Sequence, residues 1–484
     1  MSQRLLGCLA IVSFVAPARG ESPSVCERLA TLAIPKATIT RAERIEESCR
    51  VAATLRPSSD SEIQVEVWLP AVNWNGKLLA VGNGAFSGSI NYGALRASLA
   101  RGYAATSTDT GHTGGGARWA LGHPEKVVDF GWRAVHEMTV AAKRIVASHY
   151  GREAAHSYWN GCSAGGRQAL KAAQRFPEDF DGIIAGAPGL DWTSRAAQAV
   201  RVERVLEADP AARLLQEHRE LLHAAVIGAC DAKDGVKDGL IESPERCTFD
   251  PGVLECRGSA VNACLTKAQV ETARLIYSSP PNPKSGRAIG GLARGSELGW
   301  TDLGWTDSAR ATSLDQFRFL VHADPSWTVQ RFDFDSDIVR AEETDRDTLN
   351  ALDSNLRPFI DRGGRLIQYH GWSDPQISPL NSTQYYSRVR EALGAAKLRD
   401  SYRLFMAPGM GHCGGGEGPN TFDMLGALEQ WVESGRAPDQ ILASHSTKGV
   451  VDRARPLCPY PEVAAYKGRG DTDHAASFTC KAPQ

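Results

Sequence analysis

Gly161-Cys162-Ser163-Ala164-Gly165-Gly166 is the segment whose residue types most directly suit chemistry. A serine set among glycines, after an apolar run and before a helix-forming one, is the setting of a nucleophile elbow. The glycines permit a sharp turn that presents the hydroxyl at the edge of a sheet. The N-terminus of the following helix adds partial positive charge suited to an oxyanion. A Gly-rich structural turn is the plain alternative; the strand-then-helix context favours catalysis. In an α/β-hydrolase the acid and the base follow the serine in that order. Asp374 in Trp372-Ser373-Asp374-Pro375 comes just past the apolar run Leu366–His370, and His412 in Gly409-Met410-Gly411-His412-Cys413 just past Tyr402–Met406. Each stands at the end of its own predicted strand, so the three groups together would serve acyl transfer. His370 and the pair Asp109/His112 are the competitors, and the pair precedes the serine and fits the order badly.

Groups placed this way require strands that end side by side. Glu62–Leu69 alternates as a strand does, Lys77–Val81 is a buried-type run leading into Gly82-Asn83-Gly84, and Tyr103–Thr108 is a third. Gly131–Tyr150 carries apolar residues at helical spacing and stops at Gly151. Ser157–Asn160 reads as a short strand and Gly165–Phe176 as a helix. This alternation predicts an α/β fold with a mainly parallel sheet covered on both faces. The rhythm breaks after Gly186-Ala187-Pro188-Gly189 and returns with Leu366–His370, Tyr402–Met406 and a helix from Thr421 to about Ser434. Residues 190–350 are therefore expected as an inserted lid on a core built from 21–189 and 351–484.

Charge is nearly balanced in the 484 residues, 54 Lys+Arg against 56 Asp+Glu, which leaves no basic excess for nucleic acid. Apolar residues at 42% and charged residues at 23% exclude wholesale disorder. No apolar run reaches the roughly 18 residues that a membrane helix needs. Residues 1–20 read as a signal peptide, with Arg4, the apolar stretch Leu5–Val15 and a cleavage site at Ala18-Arg19-Gly20. Its removal takes Cys8 and leaves an even set of cysteines, which in an exported protein reads as a disulfide framework. Local spacing pairs Cys26–Cys49, Cys230–Cys247, Cys256–Cys264 and Cys458–Cys480. Cys162 and Cys413 remain, beside the proposed nucleophile and base. If Ser163 and His412 approach to about 3 Å, their neighbours fall within the ~4.4–6.8 Å Cα range of a disulfide; two buried thiols are the alternative. Zinc is disfavoured because no Cys-x-x-Cys pair exists, and neither a Rossmann fingerprint nor a Walker A sequence calls for an organic cofactor.

The Cys-Ser, Asp and His-Cys arrangement resembles the tannase/feruloyl esterase family, which includes enzymes hydrolysing mono(2-hydroxyethyl) terephthalate. The Gly-Cys-Ser-x-Gly-Gly elbow, the Gly-His-Cys loop, the inserted segment and the cysteine spacing carry the resemblance over essentially the whole mature chain. It implies an α/β-hydrolase core with Ser163 as nucleophile, Asp374 as orienting acid, His412 as base and a Cys162–Cys413 bridge. It also implies an oxyanion hole from the amide of Ala164 and one in an earlier Gly-rich loop, for which Gly84 is the choice. In Cys230–Leu240, three carboxylates in eight residues suit a hard cation or a solvated Asp-Gly turn equally, and the EF-hand pattern is missing. The resemblance implies structural Ca2+ on the side chains of Asp231, Asp234 and Asp238 and the carbonyls of Val236 and Leu240, stiffening a lid of little regular structure. The implied activity is that of a secreted or periplasmic serine esterase on esters of phenolic, feruloyl- or galloyl-like, or terephthalate-like acids. A lipase or peptidase on the same fold and an exported calcium-binding module without activity are the rivals. Trp300, Trp305, Phe317, Phe319 and Trp327 could stack on an aromatic acyl group, and Arg318 could meet a substrate carboxylate, against ordinary roles in core and surface.

Overall fold

The structure is a computed structural model that describes residues 24–257, 263–302 and 312–483. The expected signal segment and Trp305 lie outside the described residues.

Nine strands form one sheet: β1 (Ala37–Ile45), β2 (Ser48–Leu55), β3 (Ile63–Pro70), β4 (Lys77–Val81), β5 (Ala104–Thr108), β6 (His156–Cys162), β7 (Gly182–Gly186), β8 (Arg365–Gly371) and β9 (Tyr402–Ala407). Their order is β1-β2-β3-β5-β4-β6-β7-β8-β9. Pairing is antiparallel from β1 to β5 and parallel from β5 to β9. This is the α/β-hydrolase arrangement. Apolar runs become central strands because both faces are covered. Leu78, Ile183 and Leu366 point into a core shared with Val135, Met138 and Ile145 of the helix Ala134–Tyr150 and Leu170 of the helix Ala164–Arg175. Their chain neighbours Leu79, Ile184 and Ile367 point the other way, onto Leu95 of the helix Tyr92–Ala100 and Leu428 and Trp431 of the helix Met424–Ser434. The period of two along each strand thus divides its side chains between two cores.

Most expected strands shift by one or two residues at their ends. The helix expected from Gly131 begins at Ala134, after a π-helical turn over Asp129–Arg133. The one expected from Thr421 begins at Met424, because the Asp423 carboxylate accepts the Gly426 N–H and caps it there. The β1–β2 hairpin and the two C-terminal ribbons, β10 (Ile441–Thr447) with β11 (Val450–Leu457) and β12 (Val463–Tyr466) with β13 (Phe478–Lys481), were not anticipated.

Between β7 and β8 the described residues contain no strand, but the expectation of little regular structure is wrong. Helices span Trp192–Ala208, Gln216–Cys230, Lys267–Tyr277 and Phe334–Asp345. Charged residues interleaved along Trp192–Ala208 hid its buried face of Trp192, Ala196, Ala197 and Val200. Of the aromatic residues offered for substrate stacking, Trp300, Phe317 and Trp327 belong to this region's own core. Trp300, Phe317 and Trp327 are fully buried, and Phe317 stacks on Trp327 with centroids 5.8 Å apart. Phe319 packs in a cluster with Phe86 and Trp192, and Arg318 Nε donates to the Trp327 carbonyl at 3.1 Å. The five pairs Cys26–Cys49, Cys162–Cys413, Cys230–Cys247, Cys256–Cys264 and Cys458–Cys480 are all bonded, with Cα separations of 4.9–6.0 Å.

One buried cation helps to hold the C-terminal ribbons to the inserted segment. Arg455 of β11 donates to Asp238 Oδ2 at 2.6 Å, to Glu242 Oε1 at 3.1 Å and to the Thr472 carbonyl at 3.1 Å, and its guanidinium lies 4.0 Å above the Phe478 ring. Replacing Arg455 by Met would leave two buried carboxylates without a cation. Such a break costs about 3–5 kcal/mol, to be read from denaturant unfolding of the two proteins; a loss below ~1 kcal/mol would mean that the carboxylates are relieved elsewhere.

Candidate active site

Ser163 follows β6 directly and precedes the helix Ala164–Arg175, with φ 63° and ψ −120°. This is left-handed backbone that a non-glycine residue adopts only when its surroundings impose it. They do so here: Ser163 N–H donates to the Gly186 carbonyl at 2.9 Å, and its own carbonyl accepts from Arg167 and Gly189. The helix must also turn back close against the strand it leaves. A Cβ on Gly161 would come within 2.6 Å of the Gly165 carbonyl oxygen, so only glycine fits that crossing.

Asp374 and His412 end the next strands but one and two. Asp374 lies three residues past β8 and is wholly buried. Its Oδ1 accepts the backbone N–H groups of Gln376 (2.8 Å) and Ile377 (2.9 Å), and its Oδ2 meets His412 Nδ1 at 2.7 Å. Burial works to raise the Asp374 carboxyl, but the charge of His412 and the hydrogen bond from His370 outweigh it and hold it well below the usual carboxylate range. The described hydrogen bond of His412 is to Asp374, and none joins it to the Ser163 hydroxyl; such pairs commonly tighten only with substrate. Ser163, His412, Cys162 and Cys413 line one cleft of about 500 Å³ with Gly84, Asn83 and Gln376. The Cys162–Cys413 bond, with Cα atoms 6.0 Å apart, crosses 251 residues of sequence.

The Gly82–Ala85 loop forms one wall. It is pinned by Asn83, whose Nδ2 donates to the carbonyls of Thr108 (2.8 Å) and Ser89 (3.1 Å) and whose N–H donates to Gln168 Oε1 (3.2 Å). Gly84 lines the cleft with open space where a Cβ would be. Ala164 is the first residue of its helix, where N–H groups lack intrahelical acceptors. Sequence reasoning missed Asn83 and Gln376, which carry no signal beyond a loop position. Of the competitors, His370 meets Asp374 Oδ2 at 3.1 Å from outside the cleft lining, and the pair Asp109/His112 sits elsewhere. Asp109 accepts from the Gln64 and Gly111 amides and is pushed up to about 7 by burial. His112 stacks on Trp119 and meets the Phe86 carbonyl at 2.8 Å, bracing the loop behind Gly84. Trp300, Phe317, Phe319, Trp327 and Arg318 are not among the residues lining the cleft.

The carboxylates expected to hold calcium lie on one loop. Asp231 accepts the N–H groups of Asp238 and Gly239, Asp234 those of Val236 and Glu242, and Asp238 that of Leu240. Among the described residues no group of three or more His, Cys, Asp or Glu side chains is arranged to hold a metal ion. The donor chemistry nonetheless suits a hard cation. Asp238 and Glu242 share the cation Arg455, and burial together with the nearby carboxylates raises Asp234 to about 6 and Glu242 to about 7.

The chain is similar to known proteins over most of its length. The family model described as "Tannase and feruloyl esterase" matches residues 49–481. An uncharacterized esterase of Xanthomonas campestris is 35% identical, over 94% of this chain and 91% of its own. The mono(2-hydroxyethyl) terephthalate hydrolase of Piscinibacter sakaiensis is 34% identical, over 91% and 86%. The crystal structure of feruloyl esterase B from Aspergillus oryzae superposes with a TM-score of 0.88 at 29% identity, covering 94% of this chain and 99% of that one.

The loop that carries His412 is held at a second point. His223, on the helix Gln216–Cys230, meets Glu297 Oε2 at 2.8 Å through Nδ1 and Glu417 Oε2 at 3.0 Å through Nε2. Burial disfavours its charge, but the two carboxylates outweigh burial and push it up to about 9. A histidine whose folded value exceeds the unfolded one stabilises the fold in its charged form, fully below about 6.5, and loses that contribution as pH rises through the folded value. The stability difference between wild type and His223→Gln should therefore be large at pH 6 and shrink by pH 9.5, measured by urea unfolding across that range. A difference independent of pH would show that His223 is neutral in the fold.

Proposed function

This chain belongs to the tannase and feruloyl esterase family and is a carboxylic ester hydrolase; we propose that it cleaves esters of aromatic acids through an acyl-enzyme on Ser163. His412 takes the Ser163 proton as the hydroxyl attacks the ester carbonyl, and the amides of Ala164 and Gly84 receive the oxyanion. His412 then protonates the leaving alcohol, and water releases the acid by the same route. Asp374 orients His412 and stabilises its imidazolium. One observation carries this reading: the 2.7 Å contact of His412 Nδ1 with Asp374 stands on a loop bonded covalently to the residue before a strained Ser163. An aromatic acyl group is supported by the relatives named for feruloyl esters and for mono(2-hydroxyethyl) terephthalate. Residues 190–350 act as the lid, supported by contacts with both site loops: Ser373 Oγ donates to the Gly295 carbonyl at 2.8 Å, and His223 reaches Glu417. Export is supported by the five disulfides, which persist in oxidising compartments. No described helix is long and apolar enough to cross a membrane.

An organophosphonate probe should label the wild type and leave Ser163→Ala unlabelled and inactive. Turnover on a panel of feruloyl, galloyl and terephthalate monoesters, beside long-chain acyl esters and amides, reads the acyl class. Preference for long-chain esters would indicate a lipase, and absence of labelling an inactive binding module.

The covalent tie gives a second expectation. Cys162→Ala/Cys413→Ala should lower kcat on an aryl ester on the order of 100-fold by loosening nucleophile against base. Cys458→Ala/Cys480→Ala should leave kcat unchanged and cost about 2–5 kcal/mol of stability. Wild-type kcat in a folded Cys162/Cys413 variant would make that bond a stabilising one only.

We also propose structural Ca2+ on Asp231, Asp234 and Asp238 with the carbonyls of Val236 and Leu240, supported by the three carboxylates that one short loop brings together and by the burial and neighbouring carboxylates that raise Asp234. The ion would neutralise that loop and takes no part in the ester chemistry. Chelation should then lower Tm, Ca2+ should restore it, and elemental analysis should find about one Ca2+ per chain. An unchanged Tm and no bound Ca2+ would remove the ion from the account.

A further inference from the structure

His370, on β8, is fully buried and is not among the residues lining the cleft, yet it touches the same carboxylate oxygen as His412. Its Nε2 lies 3.1 Å from Asp374 Oδ2 and 3.1 Å from the Ile377 carbonyl, and its Nδ1 lies 2.7 Å from Ser382 Oγ. Two acceptors face Nε2, so that nitrogen must carry a proton. The other side of the ring is fixed from further away. Tyr402 OH, at the start of β9, donates to Gln368 Oε1 at 2.6 Å, and Gln368 Nε2 donates to Ser382 Oγ at 2.6 Å. Having accepted that bond, the Ser382 hydroxyl still has its own proton to give to His370 Nδ1. That arrangement corresponds to the neutral Nε2–H tautomer. Gln368 and His370 lie two apart on β8, on one face of the strand. Gln368, Ser382 and Tyr402 are fully buried as well, so water cannot replace a lost partner in this chain.

We infer that His370 is a positioning residue for the reaction proposed above: its Nε2–H, set by the Tyr402–Gln368–Ser382 chain, fixes the Asp374 carboxylate that orients His412. The inference rests on that reading of Ser163, Asp374 and His412. Oδ1 of Asp374 is filled by two backbone amides and Oδ2 by two imidazoles, so all four donors are needed to hold a wholly buried carboxylate in one rotamer. The titratable groups facing Asp374 are His370, His412 and Arg195, the last from the helix Trp192–Ala208. The hydrogen-bond partners of His370 call for a neutral donor there. Without it the Oδ2 lone pair is left unfilled and the carboxylate becomes more basic toward His412, which would hold the proton that it must give up to act as base.

The test compares His370→Leu, which removes the donor, with His370→Gln, whose amide nitrogen reaches the same oxygen. In His370→Leu, kcat should fall by ~10–100-fold with KM unchanged, and the acid limb of kcat/KM should move up by ~0.5–1 pH unit. His370→Gln should recover most of the rate and return the limb toward the wild type. A rate loss with no movement of the acid limb, or no recovery in His370→Gln, would make His370 a packing residue and overturn the inference. If His370→Leu does not fold, 15N-histidine spectra of the wild-type enzyme decide: Nε2–H with bare Nδ1 is expected, and Nδ1–H or a doubly protonated ring at neutral pH overturns it. Ser163→Ala measured alongside separates the two levels. Activity surviving in Ser163→Ala defeats the acyl-enzyme reading itself, whereas an inactive Ser163→Ala beside a wild-type His370→Leu defeats only the role of His370.

Discussion

Backbone hydrogen bonding between β6, β7, β8 and β9 is the constraint on which the site depends. These four strands run parallel and adjacent, with Cys162 opposite Gly186, Gly186 opposite Tyr369 and Gly371 opposite Ala407. Their C-terminal ends therefore form one edge, and the loops that leave β6, β8 and β9 bring Ser163 to it beside Asp374 and His412, which lie more than 200 residues further along the chain. Slipping one strand by a residue would turn its side chains to the opposite face and move its loop. The covalent bond between Cys162 and Cys413 then fixes across the edge what the ladder fixes along it.

Burial of charge follows one rule at three places. Asp374 is held by two amides and two imidazoles, His223 by Glu297 and Glu417, and Arg455 by Asp238 and Glu242. Each is expensive alone and tolerable only with its partners. Two of them also join parts of the chain that are distant in sequence. Arg455 ties the C-terminal ribbon to the inserted segment, His223 ties that segment to the loop of His412, and His370 ties Asp374 to β8, β9 and the helix Pro379–Leu393. The three contacts share the task of holding loops that contain little regular structure of their own.

The inserted segment is better described as a helical unit with its own core than as a cover of loops. Trp300, Phe317 and Trp327 are consumed in that core, and the cleft at Ser163 is walled mainly by small and amide side chains, with Gly84, Asn83 and Gln376 beside the serine. Positioning of the reacting groups is accordingly a property of the sheet and its ties. The insertion contributes through contacts such as Ser373 with Gly295 and Glu417 with His223.

The local patterns in the sequence determined a good deal. Apolar runs ending in Gly-rich turns marked six strands of the sheet within a residue or two, because burial on both faces leaves such runs no other use. Gly161, Ser163 and Gly165 marked the elbow because a strand that reverses into a helix at this spacing admits only small residues. The placement of Ser163, Asp374 and His412 at the ends of strands was legible from residue type and element order, and four of the five bonded cysteine pairs from their short spacing. Tertiary structure alone decided the rest. The aromatic residues of the insertion carry the same letters in a core as in a binding wall, and only their burial against one another assigns them. His370 was legible as a histidine near the acid, but its partnership with Asp374 and Ser382 depends on the spacing of β8, β9 and a helix that no local pattern encodes. The same holds for His223 and Arg455, whose partners come from far along the chain. Sequence specifies which side chains can bear charge, and only the packed structure specifies which opposite charges and donors they meet.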